Sequence, residues 1–266
     1  SEMCIRDRDK GITVIPTGVG KTILAAFDSK PYKRVLFVAH REEILIQAEQ
    51  AFQKVRGSGK YGFFYGDKKD DDCEVLFATV QTLGKAEYLC DKCFPRDYFD
   101  YVIVDEFHHA AADTYKRIIR YFKPKFLLGL TATPDRLDDK NIYEICDFNV
   151  VYDVRLKEAV NKGWLVPFRY YGIYDCTVNY DNISYVHGKY DEEELEKELM
   201  IPQRGDLVYH NYSKYNCKRA LAFCSTKKHA EYMAELFQNR GVKAAAVYSG
   251  TDGEYNLDRR EALEEL

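Results

Sequence analysis

No apolar run in this chain approaches the roughly 18 residues that a membrane-spanning helix needs. No charged-then-apolar leader opens it. Basic residues are not in excess: 39 Lys+Arg stand against 43 Asp+Glu, a net charge of −4. That excludes a polybasic coat over the whole surface and leaves room for one local basic groove. Cys90-Asp-Lys-Cys93 has zinc-knuckle spacing, but no second Cys-x-x-Cys or His-x3-His pair accompanies it. A tetrahedral zinc site needs four ligands, so no metal site is expected there. The eight cysteines are mostly isolated and are expected to be reduced thiols. No internal repeat of fixed short period is present. These absences lead to the expectation of a soluble, cytoplasmic protein.

What the chain does contain is enough apolar material for a core. It has 266 residues, 46% hydrophobic and 31% charged. At about 150 residues per domain, that suggests one large or two ordinary domains. From residue 10 to about 150, short apolar runs alternate with helical segments. The runs are Ile12–Ile15, Val35–Ala39, Val75–Ala78, Tyr101–Val104 and Phe126–Leu130. Short, continuous and aliphatic, they suit strands buried on both faces of a parallel sheet. Between them, Glu42–Val55 places Ile44, Leu45, Ala48, Ala51, Phe52 and Val55 on one helical face. Thr114–Phe122 is a second amphipathic helix, ended by Lys123-Pro124. This is β-α-β grammar.

The grammar breaks between 151 and 215, which is taken as linker and insertion. There Leu156–Gly163 is expected to be a short helix and Tyr170–Val178 a loose strand. The acidic run Asp191–Glu194 is expected to be the solvated face of a helix. Near 216 the α/β pattern restarts. Arg219–Cys224 and Val242–Tyr248 are expected strands, Ser225-Thr226 a helix N-cap, Lys227–Arg240 a helix, and a further helix begins near Asp258. Residues 216–266 are expected to form the start of an incomplete second domain. Residues 1–9, charged and without periodicity, are expected to be non-native or disordered.

Pro16-Thr17-Gly18-Val19-Gly20-Lys21-Thr22 lies between a strand and a helix-compatible run. Backbone N–H groups of Thr17, Gly18, Val19 and Gly20 can wrap nucleotide phosphates, aided by the helix N-terminus. Lys21 would reach the β/γ-phosphates and the Thr22 hydroxyl would ligate Mg²⁺. The first Gly or Ala of the usual pattern is Ile15 here. Tyr101-Val-Ile-Val-Asp105-Glu106 is an apolar strand ending in two carboxylates. Asp105 can hold Mg²⁺ and Glu106 can orient or deprotonate the attacking water. His108 completes Asp-Glu-Phe-His. Thr131 and Thr133, in Leu130-Thr-Ala-Thr-Pro134, supply two hydroxyls at a strand end, suited to coupling the nucleotide site to a neighbouring domain.

Taken together, the ordered set resembles the superfamily 2 DEAD/DEAH-box (DExH) helicase core, with tandem RecA-like parallel-sheet domains of the P-loop NTPase class. Gly18–Thr22 resembles motif I, Asp105–His108 motif II and Thr131–Thr133 motif III. Ala39-His40-Arg41-Glu42 resembles motif Ia, and Ala78-Thr79-Val80-Gln81-Thr82 motif Ib. Phe223-Cys-Ser225-Thr226 and Tyr248-Ser249-Gly250 resemble second-domain motifs. The strings AHREEIL, FATVQTL, VDEFHHA and LGLTATPDR look most like bacterial helicases allied to type III restriction-enzyme subunits. The resemblance implies ATP and Mg²⁺ as cofactors, with Lys21, Glu106 and His108 catalytic. It implies nucleic-acid contacts at His40, Arg41, Gln81, Thr82, Ser225, Ser249 and Gly250, and DNA rather than RNA as the polymer. It also implies nuclease or modification domains outside this sequence. Motifs V and VI, the second of which brings an arginine finger, are not found, so the chain alone is expected to hydrolyse ATP poorly. A small-molecule P-loop ATPase and an ATP-gated clamp without turnover are the alternative functions.

Overall fold

The computed structural model describes residues 8–134, 142–186, 188–215, 217–250 and 253–265. The expectation for residues 1–9 falls almost wholly outside them. The chain divides into two compact units, Ser1–Phe168 and Arg169–Leu266.

The first unit is built on one sheet. Its strands are β1 (Lys10–Val14), β2 (Val35–Ala39), β3 (Tyr61–Tyr65), β4 (Lys68–Lys69), β5 (Val75–Thr79), β6 (Tyr101–Val104), β7 (Phe126–Thr131) and β8 (Val150–Asp153). Their order across the sheet is β4-β3-β5-β2-β6-β7-β1-β8. Every pairing is parallel except β3 with β4. The helices of this unit are α1 (Lys21–Asp28), α2 (Glu42–Arg56), α3 (Val80–Leu83), α4 (Asp113–Tyr121) and α5 (Leu156–Asn161).

All five expected apolar runs became strands, and burial on both faces explains their composition. Val35, Phe37 and Ala39 enter one apolar cluster, and Leu36 and Val38 enter the other. Phe37, Phe52 and Phe77 meet at ring-centroid distances of 5.4 to 5.8 Å, tying α2 to the sheet. Sequence reasoning missed β3 and β4. The signal for them was present: the aromatic run Tyr61-Gly-Phe-Phe-Tyr65 leads into Gly66-Asp67, and Gly66 takes φ 48° at the turn between the two strands. It also placed the break in the pattern at 151, whereas β8 closes the sheet beside β1.

The second unit holds a two-stranded antiparallel ribbon, β9 (Tyr185–Val186) with β10 (Lys189–Tyr190). Its helices are α6 (Glu192–Leu199), α7 (Pro202–Lys214), α8 (Lys227–Gln238) and α9 (Arg259–Glu265). Phe237 of α8 packs between Tyr209 and Tyr212 of α7. The acidic run is indeed a helix start: Asp191 caps α6 by accepting from the Glu193 and Glu194 N–H groups.

Three expected strands of this unit are corrected. Tyr170–Val178 and Arg219–Cys224 form no strand, and Val242–Tyr248 makes only one isolated bridge, Ala246 to Asn256. A strand is a hydrogen-bonded pairing, and apolar character by itself supplies no partner. Among the described residues no strand lies beside Arg219–Cys224, and Phe223 stands 97% exposed. The expected second parallel sheet is therefore not formed among the described residues.

The N-cap at 225–226 is realised by Thr226, whose Oγ1 accepts the His229 N–H at 3.1 Å and donates to Glu196 at 2.6 Å. Thr226→Ala is expected to destabilise this unit by about 1 kcal/mol, the usual cost of a lost cap. Urea denaturation of the two proteins, followed by far-ultraviolet circular dichroism, measures it.

Candidate nucleotide site and nucleic-acid face

Five neighbouring parallel strands, β5, β2, β6, β7 and β1, end at the same edge of the sheet. In open α/β sheets, ligands bind outside that carboxyl edge. The candidate residues of the first unit leave the sheet there. Thr17–Thr22 follow β1, His40 and Arg41 follow β2, and Gln81 and Thr82 follow β5. Asp105, Glu106 and His108 follow β6, while Thr131 ends β7 and Thr133 lies just beyond.

The loop after β1 turns on two glycines with positive φ, Gly18 at 90° and Gly20 at 100°. Side chains rarely tolerate that backbone. Gly20 is the N-cap of α1 and gives it no side-chain cap, so the first N–H groups of the helix are left to a ligand. Ile15, where the usual pattern has Gly or Ala, is 3% exposed, and its N–H donates to the Thr131 carbonyl at 2.9 Å. The backbone of Ile15, not its side chain, thus joins the loop's base to the end of β7.

Asp105 is 7% exposed, and its Oδ1 has no hydrogen-bond partner. Burial pushes its carboxyl above the usual carboxylate range. The Lys21 ammonium and the Glu106 N–H oppose that shift, and the neighbouring Glu106 charge adds to it. A buried acceptor without a partner costs free energy unless a cation meets it. This donor set fits Mg²⁺: a hard carboxylate oxygen is left free at the sheet edge, and Thr22 brings a hydroxyl to the start of α1 at the same edge.

Glu106 adopts φ 49°, the left-handed region, as the chain leaves β6. Such strain in a residue with a Cβ is held by its surroundings and concentrates at functional sites. His108 Nδ1 lies 3.2 Å from Glu106 Oε2 and 3.2 Å from Thr131 Oγ1. Thr131 Oγ1 also accepts the Thr133 N–H at 3.2 Å. Thr131, fully buried, therefore joins the strand end, the loop base through its carbonyl, and His108.

The nucleic-acid candidates divide between the units. Arg41 and Gln81 are exposed, and Thr82 takes a 3.0 Å hydrogen bond from the Thr79 hydroxyl at the end of β5. His40 is half-buried: its Nδ1 is buried without a partner and its ring packs edge-on to His109. In the second unit, Ser225 Oγ lies 3.1 Å from His229 Nδ1. The Lys227 ammonium donates to the Ser249 carbonyl at 2.7 Å, next to Gly250 at φ 118°. Lys227 thus draws the start of α8 to the Ser249-Gly250 turn, and sequence reasoning passed it over. It also passed over Gly129 and Phe107. A Cβ on Gly129 would stand 2.5 Å from the Phe107 ring, which is fully buried between Glu106 and His108. The signal for Gly129 was a glycine inside an apolar strand, which marks close approach.

The family described as "Type III restriction enzyme, res subunit" matches residues 2–136. The chain belongs to this family. The matched span holds the sheet edge with the Gly18–Thr22 loop, Asp105–His108 and Thr131. The chain is 25% identical over 265 residues to the type I restriction enzyme EcoAI endonuclease subunit of Escherichia coli, covering 87% of this chain and 32% of that one. It is 27% identical over 178 residues to the DNA 3'-5' translocase XPB2 of Sulfurisphaera tokodaii, covering 66% and 39%. Among solved structures, a fragment assigned as an HsdR subunit of a type I restriction enzyme from Vibrio vulnificus YJ016 superposes with TM-score 0.60 at 23% identity, covering 89% and 42%. The Hef helicase domain of Pyrococcus furiosus shares the fold as well, with TM-score 0.53 at 16% identity, covering 90% and 52%. The chain spans less than half the length of the curated relatives it matches. No described helix is long and apolar enough to cross a membrane.

Proposed function

We propose that this chain is part of an ATP-dependent motor that moves on DNA. The observation that carries the reading is the buried, unpartnered Asp105 Oδ1 set at one sheet edge with the Gly18–Gly20 loop, Lys21 and the Glu106–His108–Thr131 contacts. The N–H groups of Thr17 through Gly20 and the start of α1 bind phosphate, and Lys21 meets the β/γ-phosphates. Thr22 and Asp105 would hold Mg²⁺, which neutralises charge on the phosphate oxygens during transfer. Glu106 orients and deprotonates the attacking water, and the His108 ring, with Nδ1 3.2 Å from Glu106 Oε2, positions that carboxylate. Thr131 and Thr133 pass the state of the nucleotide along the edge. Arg41, Gln81 and Thr82 hold backbone phosphate on the first unit. Ser225, Ser249 and Gly250, with Lys227 beside them, do so on the second. Phosphate contacts make the grip salt-dependent and sequence-tolerant. The choice of DNA is supported by the names of the restriction and translocase relatives.

ATP hydrolysis measured with and without single- and double-stranded DNA and RNA tests this. Stimulation by DNA, lost in Lys21→Ala, is the expected result. Hydrolysis indifferent to every polymer would favour a small-molecule ATPase, and nucleotide-dependent DNA binding without turnover would favour a clamp.

A further inference from the structure

Cys90 and Cys93 belong to none of the contacts above, yet the fold brings their sulfurs together. The Cys93 N–H donates to the Cys90 carbonyl at 3.1 Å and the Phe94 N–H to the same carbonyl at 2.9 Å. This hydrogen-bonded turn holds the two Cα atoms within about 7 Å, compatible with the span of a disulfide. Both thiols donate to one acceptor, the Glu87 carbonyl, at 3.3 and 3.5 Å. The turn is anchored on both sides. Phe94 is 1% exposed in the core, and the Tyr121 hydroxyl donates to the Phe94 carbonyl at 2.9 Å. Cys93 is exposed and Cys90 half-buried, so small molecules can approach the pair from solvent.

The two sulfurs are not equivalent. The Cys93 and Lys92 N–H groups, together with the Cys93 thiol, favour the Cys90 thiolate and hold its pKa below the usual thiol value, whereas burial and the Cys90 charge push Cys93 up. Elsewhere, burial pushes Cys73 and Cys146 each to about 12, which leaves them inert. No group of three or more His, Cys, Asp or Glu side chains suited to a metal ion occurs among the described residues.

We propose that Cys90 and Cys93 form a thiol–disulfide exchange site, with Cys90 as the attacking sulfur and Cys93 as the resolving one, whose co-reactant is a small-molecule disulfide of the glutathione class. The Cys90 thiolate attacks one sulfur of that disulfide, its S–S bond breaks, and one small thiolate leaves. The Cys93 thiol then gives up its proton and attacks the Cys90 sulfur. The mixed disulfide breaks, and the second small thiolate leaves. The protein dithiol is oxidised by two electrons, and the external disulfide is reduced to two thiols, which take up the two protons. The anchored turn needs no rearrangement of the sheet for this. The site lies in the connection between α3 and β6.

The test equilibrates the whole protein in glutathione buffers of graded redox ratio, followed by acid quench, alkylation, digestion and mass spectrometry. The peptide carrying residues 90–93 is expected to pass from two alkylated thiols to one internal disulfide, while the buried Cys146 stays a free thiol at every ratio. Cys93→Ser is expected to accumulate a glutathione adduct at Cys90, and Cys90→Ser to leave Cys93 mostly a free thiol. Two independently alkylated thiols at the most oxidising ratio would overturn the proposal. So would glutathione adducts on both cysteines without a bridge. Protection of the pair by added Zn²⁺ but not by oxidation would overturn it in favour of a metal site.

Discussion

Asp105→Asn is expected to cut nucleotide turnover steeply and to raise the stability of the ligand-free protein. The carboxylate is buried, one of its oxygens is unpartnered, and burial raises its pKa. A carboxyl whose pKa is higher in the folded state than in the unfolded chain favours folding below the ordinary carboxylate range. That contribution is lost as pH rises through the raised pKa, so at neutral pH the charge opposes folding. Removing the charge at constant shape relieves that opposition. Thermal melts without Mg²⁺ should place the variant above the parent at pH 7, with the difference shrinking as pH falls and the parent's own carboxyl protonates. With ATP and Mg²⁺ the order should reverse. A ligand at 100 times its Kd stabilises by about 2.7 kcal/mol, and the variant forfeits most of it because the metal loses its anionic partner. Turnover should fall by about 10²–10³, the scale of losing one preorganised electrostatic group at the reacting phosphate. A variant less stable than the parent at pH 7, still stabilised by ATP and Mg²⁺, would place the metal elsewhere. Stability gained where activity is lost is the trade that a site built for a ligand makes.

Gly129→Ala should damage the same site without touching it. The added Cβ would stand 2.5 to 2.7 Å from three atoms of the Phe107 ring. Phe107 is fully buried, so the ring or the strand must move, at a cost of about 1–3 kcal/mol for overpacking a core. The ring sits between Glu106, held at φ 49°, and His108, held 3.2 Å from Thr131. A shift of the ring therefore shifts both side chains. A displacement of about 1 Å at a reacting group can cost 10²-fold in rate. Nucleotide affinity should change less than turnover, because the clash is with the Phe107 ring, next in the chain to Glu106 and His108, whereas Gly18–Thr22 follow β1. The expected signature is a turnover loss much larger than the affinity loss. Adding Phe107→Leu to Gly129→Ala should recover part of both stability and turnover. Equal losses of affinity and rate, unrelieved by Phe107→Leu, would mean that the strand rather than the ring carries the effect.

These two residues show where sequence reading reached and where it stopped. Asp105 was legible because a run of four apolar residues ending in two carboxylates is a local pattern, as is a glycine pair before Lys21-Thr22. Phe107 against Gly129 was not, because Phe107 lies in the turn after β6 and Gly129 within β7, and they meet only when β6 pairs with β7. The double engagement of Thr131 was hidden for the same reason: its hydroxyl meets His108 and its carbonyl meets Ile15. Ile15, a mismatch to the loop pattern by spacing, proved to be a buried residue just past β1, its backbone bonded to β7. In the second unit, Arg219–Cys224 carried the composition of a strand and formed none. Lys227, an ordinary surface lysine in sequence, reaches the Ser249 carbonyl.

The sequence by itself determined the local elements: five two-face-buried strands, the α2 and α4 periodicities, the glycine loop before α1 and the Asp105-Glu106 strand end. Each depends on residues a few positions apart, whose preferences act before any distant contact forms. Only the tertiary structure decided the strand order that gathers β5, β2, β6, β7 and β1 at one edge, the orphaned Asp105 oxygen, and the meeting of the Cys90 and Cys93 sulfurs on one carbonyl. Strand neighbours, burial and hydrogen-bond partners are properties of pairs brought together by the fold, and a pair's energy is written in neither residue alone.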